Sequence, residues 1–202
     1  MKSTGNPPAA TVTDTEQGGL LAGLERFERR LARLETVAIG IVTAAVFLIL
    51  LSNVFSRSVG RPLIWSDELA INLMIWAAFI GASLGLARRQ HIAVTLLPDA
   101  LAPGGRHVLA ILVDLVLLSF FAILAVLVWN WLDLPGLIAA GSADALAQSR
   151  FNFTWQEPMM TLSVRKVWFW LILPIFCLTG TFHVAMSLMR HIRDSSTTEV
   201  TV

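Results

Sequence analysis

Of the 202 residues, 55% are hydrophobic and only 14% charged, whereas a soluble domain carries about 25% charged residues. Such a surface does not suit water, and a mean hydropathy of +0.69 indicates an integral membrane protein. The net charge of +1 gives no basis for nucleic-acid binding, and the single cysteine, Cys177, excludes an intrachain disulfide.

Residues 1–18 are polar, with Thr, Pro and Gly, and lack the apolar core of a cleavable signal. They read as a disordered tail. From 19 to 36, Leu20, Leu24, Phe27, Leu31 and Leu34 recur at helical spacing among Glu25, Arg26, Glu28, Arg29, Arg30 and Arg33. This predicts an amphipathic helix on the cytoplasmic lipid surface; a solvated lead-in to the first span is the plainer alternative. Crossing a hydrocarbon core of ~30 Å takes about 20 apolar residues. Four stretches qualify, at about 37–55, 65–87, 108–132 and 167–189. The first has no charge, the third holds only Asp114, and Pro174 predicts a bend in the fourth.

Between spans three and four lies a long loop, 133–166. Its Pro135-Gly136 pair marks a break, and 137–149 suits a short helix. Phe151, Phe153 and Trp155 are placed to rest on the membrane or on a partner, unless the loop is packed and silent. Residues 194–202 read as a disordered tail. The fold class is thus all-α, four transmembrane helices over 37–193 preceded by an interfacial helix.

Orientation follows from Lys and Arg in the flanks. Ten lie on the side of the two termini and the loop after span two; five, namely Arg57, Arg61, Arg150, Arg165 and Lys166, lie on the other. Both termini are therefore expected in the cytoplasm. Trp65, Trp129, Trp131, Trp168 and Trp170 fall at span ends on the opposite face, where aromatic belts sit.

The second span is the most informative. It opens Trp65-Ser66-Asp67-Glu68, runs through apolar sequence, and closes Arg88-Arg89-Gln90-His91. At 100° per residue Glu68, Asn72, Phe79 and Ser83 share one stripe. Ala77, Gly81 and Gly85 lie roughly opposite as a small-residue ridge that lets backbones approach in lipid. Both faces are expected to be packed, making this helix central. For Asp67 and Glu68 the alternatives are pairing with Arg57 or Arg61 or with another subunit, solvation at the interface, and ion coupling; pairing is favoured by depth. Arg88, Arg89 and His91 serve as cytoplasmic anchors near a helix C-terminus. Asp114, an intramembrane carboxylate, is expected to pair with Arg88, Arg89 or Arg106. Only His183 lies well inside a span, so no axial haem pair is apparent. With no metal-ligand spacing, phosphate loop or supported nucleophile, no cofactor is expected and an enzyme is disfavoured.

The run from Arg57, Gly60 and Arg61 through Trp65-x-Asp67-Glu68, Trp76 and Phe79-Ile80-Gly81-Ala82 to Arg88 and His91-Ile92 resembles the small membrane subunit, the DctQ family, of tripartite ATP-independent periplasmic (TRAP) transporters. The resemblance covers about 30–190 and is strongest over 57–97; the first acidic residue, usually glutamate, is here Asp67. It implies a four-helix accessory subunit that binds and supports a large permease subunit. That partner would carry the substrate and sodium sites, and a periplasmic substrate-binding protein would deliver a solute such as an organic acid. It also implies architectural roles for Arg88 and His91. The competing readings are a stand-alone four-helix proton-coupled exporter using Glu68 or Asp114, and a membrane anchor for a redox enzyme.

Overall fold

The computed structural model describes residues 12–88 and 103–198. Seven helices are found among them: α1 Val12–Ser58, α2 Ile64–Arg88, α3 Pro103–Leu132, α4 Leu134–Ala140, α5 Ala143–Arg150, α6 Val167–Trp170 and α7 Ile172–Thr198. Four stretches are long and apolar enough to cross a membrane: Leu21–Ser58, Ile64–Arg88, Gly104–Ala140 and Val167–Arg193. His91 and Arg89 lie outside the described residues.

The helices form a row. α1 packs along α2, α2 against α7, and α7 against α3, while α1 and α3 share no substantial contact among the described residues. An antiparallel order of spans with a short α1–α2 turn makes those two neighbours. The long crossover from α3 then returns the chain between α2 and α3, as α7. Span two thus has a neighbour on each side, and α7 is its equal in this. The best-buried span is α7, and α1 on the edge is the most open.

Where the sequence suggests a tail, a separate amphipathic helix and then a span, α1 is one helix of 47 residues. No proline or paired glycine interrupts 24–39, and propagation of a nucleated helix adds a hydrogen bond per residue. The N-terminal part of α1 is therefore continuous with the span that follows it. Its buried positions are Glu28 and Glu35, whereas Leu24, Phe27 and Leu34 are exposed. Likewise α7 runs on to Thr198, into the stretch read as a tail.

The α1–α2 turn is set by Gly60, at φ 76°. Its N–H bonds the Arg57 carbonyl and the Arg61 N–H bonds that of Ser56, both at 3.0 Å. This is the paired capping pattern that a left-handed glycine allows at a helix C-terminus. In the long loop, Pro135-Gly136 opens a helix instead of breaking one. Proline tolerates the first turn because its missing N–H has no intrahelical partner there, and the Asp133 carboxylate accepts from Gly136 N at 3.0 Å. The true break is Gly141-Ser142: Gly141 ends α4 at φ 74°, and the Ser142 hydroxyl accepts from Ala145 N at 3.1 Å to start α5. Arg150 closes the pair of helices on Asp133 at 3.0 Å. The fourth span is interrupted at Leu171, between α6 and α7. Pro174 lacks the N–H that would bond the Trp170 carbonyl, so the ladder loosens one turn earlier.

Candidate functional site

Polar side chains gather at the two ends of the row, separated by an aromatic middle. Phe79 of α2 meets Phe176 of α7 at 5.1 Å between ring centroids, and Phe176 meets Phe121 of α3 at 5.3 Å. A Cβ placed on Gly180 would collide with the Phe121 ring. Here, then, glycine is required by a close approach of α3 to α7.

At the end facing the long loop, Asn53 is buried and bonds both ways. Its amide donates to Asp67 at 2.9 Å, and its carbonyl oxygen accepts from Leu63 N at 3.2 Å. The second Asp67 oxygen pairs with Arg57 at 3.0 Å, with both side chains more than half exposed. The Ser66 hydroxyl donates to the Leu63 carbonyl, just ahead of α2, at 2.6 Å. Glu68 does something different. It accepts from three successive backbone N–H groups, Met160 at 2.9 Å, Thr161 at 2.7 Å and Leu162 at 3.2 Å, and from the Thr161 hydroxyl at 2.6 Å. Charge-assisted bonds of this kind are the strong ones. They fasten the tip of a tight hairpin, whose stem is held by Met159 N on Val164 O at 2.9 Å and an ion pair between Lys166 and Glu157.

Other residues singled out on α2 have plainer settings. The Asn72 amide donates to its own helix at the Glu68 carbonyl, 2.8 Å away. Trp76 reaches across to the Phe169 carbonyl at 2.7 Å, in the stretch that Pro174 loosens. Gly81 of the small-residue ridge faces Ile39 of α1, whereas Gly85 has open space beside it; Ala77 is half-buried. Trp65, Trp129, Trp131, Trp168 and Trp170 are exposed at the loop end.

At the opposite end the polar groups are shut away. Glu35 of α1 accepts from Ser83 of α2 at 2.6 Å, and Ser83 lies 2.7 Å from the Thr179 hydroxyl of α7. His183, 1% exposed, stands between two carboxylates: Nε2 is 3.3 Å from Glu35 and Nδ1 is 3.6 Å from Glu28. Arg190 pairs with the other oxygen of Glu28. One turn away, Asp114 of α3 accepts from Ser187 at 2.8 and 2.9 Å and faces His191 Nδ1 at 2.8 Å. The arginine partner expected for Asp114 is thus replaced by His191 and Ser187. Arg88 instead donates to Thr36 of α1 at 2.9 Å, because α2 borders α1 and α7 while Asp114 faces α7 from the other side.

Sequence reasoning passed over Glu28, Glu35 and Arg190 as site residues and weighed His183 only as a haem ligand. The signal was present: Thr179, His183, Ser187 and His191 recur every four residues along α7, and Glu28 and Glu35 lie seven apart on α1. Both spacings put the polar groups on one helix face.

Four apolar helices in a row, bound by internal carboxylate clusters and an aromatic middle, define a multi-pass membrane protein organised around helix packing. Residues 46–194 match the model of the family described as tripartite ATP-independent periplasmic transporters, DctQ component. The chain belongs to this family. It is similar to a TRAP transporter small permease protein of Haemophilus influenzae, 32% identical over 85 residues, which cover 42% of this chain and 53% of that one. A second relative, the sialic acid TRAP transporter permease protein SiaT of Haemophilus influenzae strain 86-028NP, is 34% identical over 61 residues, covering 30% of this chain and 10% of the relative. The matched segment therefore spans about half the length of the first relative and a tenth of the second. A transporter family rather than an enzyme family is the result.

Proposed function

We propose that this small TRAP permease component sits in the cell inner membrane with both termini cytoplasmic and binds and supports a large permease subunit. The pair takes up a small organic acid or related solute, coupled to sodium and fed by a periplasmic binding protein. Sodium and substrate are bound by the large subunit in this proposal. The row architecture carries it: four helices side by side present two broad apolar faces, one suited to lipid and one to a partner of many spans. Edge helix α1 exposes Val37, Ile41, Phe47, Leu48, Leu51, Val54 and Phe55, and edge helix α3 exposes Leu112, Val116, Ile123 and Leu127. Close van der Waals packing, not hydrophobicity, drives association in lipid, and a flat face offers more of it than one edge. The excess of Lys and Arg toward the termini supports the orientation. The relative named for sialic acid supplies a carboxylic acid as an example of the solute class.

Co-expression with an affinity-tagged large subunit tests the assembly: the two are expected to co-purify, and Glu68→Ala is expected to weaken the association by releasing the outer hairpin. In proteoliposomes, uptake should need both subunits, the binding protein and a sodium gradient. Full-rate uptake by the large subunit alone, or transport by the small chain alone, overturns the proposal. Reporter fusions at the termini test the orientation, which periplasmic activity from either would sink.

A further inference from the structure

The edge helix α1 has two unlike sides along its whole length. Glu28, Glu35 and Asn53, all buried, fall on one side at 100° per residue, and Ile39 beside them meets Gly81 of α2. On the opposite side, positions 26, 30, 33, 37, 41, 44, 48, 51 and 55 recur at steps of three and four, within about 80° of arc. The first three are Arg26, Arg30 and Arg33, all exposed. The apolar run that continues their line includes Val37, Ile41 and Leu48, each more than half exposed. Arg29 borders the arginines and is loosely paired with Glu25 at 3.8 Å. Arg26 Nε donates to the Ala22 carbonyl of its own helix. Among the described residues no carboxylate pairs with Arg26, Arg30 or Arg33.

We propose that this side of α1 binds one anionic phospholipid from the leaflet on the side of the termini. Arg26, Arg30 and Arg33 take the phosphate, and Val37, Ile41 and Leu48 take an acyl chain. An excess of positive charge at one end of a span orients the chain wherever it sits around the helix; here it sits in line with the exposed apolar run. The three arginines cover about 10 Å of helix axis, and the forked guanidinium matches phosphate oxygens. From Val37 to Leu48 the axis rises about 16 Å, close to half of the ~30 Å hydrocarbon core and hence to one leaflet. A free phosphate ion would use the arginines and leave the apolar run bare. An apolar span of a partner would cover the run and leave the arginines unused. Because α1 is the most open of the spans, the lipid gives it a second neighbour, on the side away from α2. The large subunit proposed above then lies against a broad side of the row, although the lipid site does not depend on that assembly.

A fluorophore on Phe47→Cys, beside the stripe, in a full chain with Cys177→Ala reads the site in phosphatidylcholine bilayers. The quencher is brominated phosphatidylglycerol or brominated phosphatidylcholine. Quenching should favour phosphatidylglycerol by about fivefold or more, the effect of a single arginine beside an anionic surface. The preference should vanish in the Arg26→Gln, Arg30→Gln, Arg33→Gln variant, shrink in Arg30→Gln alone, and stay unchanged in Arg193→Gln, which removes a charge from α7. Equal quenching by the two lipids overturns the site, as does a preference that survives the triple variant or falls equally in Arg193→Gln. A preference abolished by inorganic phosphate, and not by chloride at the same ionic strength, puts a free anion on the arginines and also overturns it. With the large subunit co-purified, the preferential quenching should persist. Its disappearance there makes the stripe the subunit interface, which overturns the lipid site and leaves the assembly standing.

Discussion

The two ends of the helix row solve the same problem, holding carboxylates beside a membrane, in opposite ways. At the loop end, Asp67 and Glu68 face outward and are held by an exposed arginine and by backbone N–H groups of a hairpin. At the terminal end, Glu28, Glu35 and Asp114 are buried among histidines, hydroxyls and one arginine from neighbouring helices. Water can replace a lost partner at the first end, whereas at the second it reaches Arg190 but not the enclosed His183. The loop end is therefore a local fastening, and the terminal end holds the row together.

The largest effect should come from Glu28→Ala. Removing one partner from a buried polar set costs about 1–3 kcal/mol, more for a charged group; here the buried His183 ring loses a neighbour and Arg190, 37% exposed, loses its carboxylate. Thermal unfolding in detergent measures it, and a loss no greater than that of Asp67→Asn would erase the contrast between the ends. Next in size is Gly180→Ala, which drives a methyl into the Phe121 ring and should cost about 1–3 kcal/mol, the range for overpacked cores. Adding Phe121→Leu should recover part of this loss, and Gly85→Ala, with open space beside it, should be close to neutral. Glu68→Ala should act locally. Hydrogen exchange at the amides of residues 160–162 should accelerate while global unfolding shifts far less than for Glu28→Ala. Smallest of all is Arg57→Ala, an exposed pair worth about 0.2–1 kcal/mol. Its effect should fade in 1 M salt, where the screening length is about 3 Å.

The four spans were legible because hydropathy and helix length are fixed by the bilayer, and Asp67 and Glu68 were legible because a carboxylate at a span entrance stands out. The clusters at the other end were harder. Glu28 and Glu35 sit among arginines that make the segment read as a surface helix, and only the path of α7 shows which face of α1 is covered. His183 was weighed as a haem ligand and set aside, while its four-residue rhythm with Thr179, Ser187 and His191 passed unread. Helix order was not legible: periodicity gives the faces of a helix but not its neighbours, so Asp114 was assigned arginines when its neighbour is α7. Pro135 misled because proline breaks a helix interior yet suits a helix start, and the two positions differ by one turn.

The uninterrupted length of α1 has a mechanical consequence. Its 47 residues make a rod of about 70 Å at 1.5 Å per residue, more than twice the ~30 Å hydrocarbon thickness. Without proline or a bulge it has no cause for a sharp kink, so it can act as a lever with its fulcrum in the membrane. A tilt of about 10° about the middle of the apolar stretch moves Glu28, roughly 27 Å away, by about 5 Å, and Phe55, roughly 14 Å away on the other side, by about half as much. A push on the exposed Phe55 ring is thereby delivered, enlarged, to the other end of the span, where Glu28 meets α7.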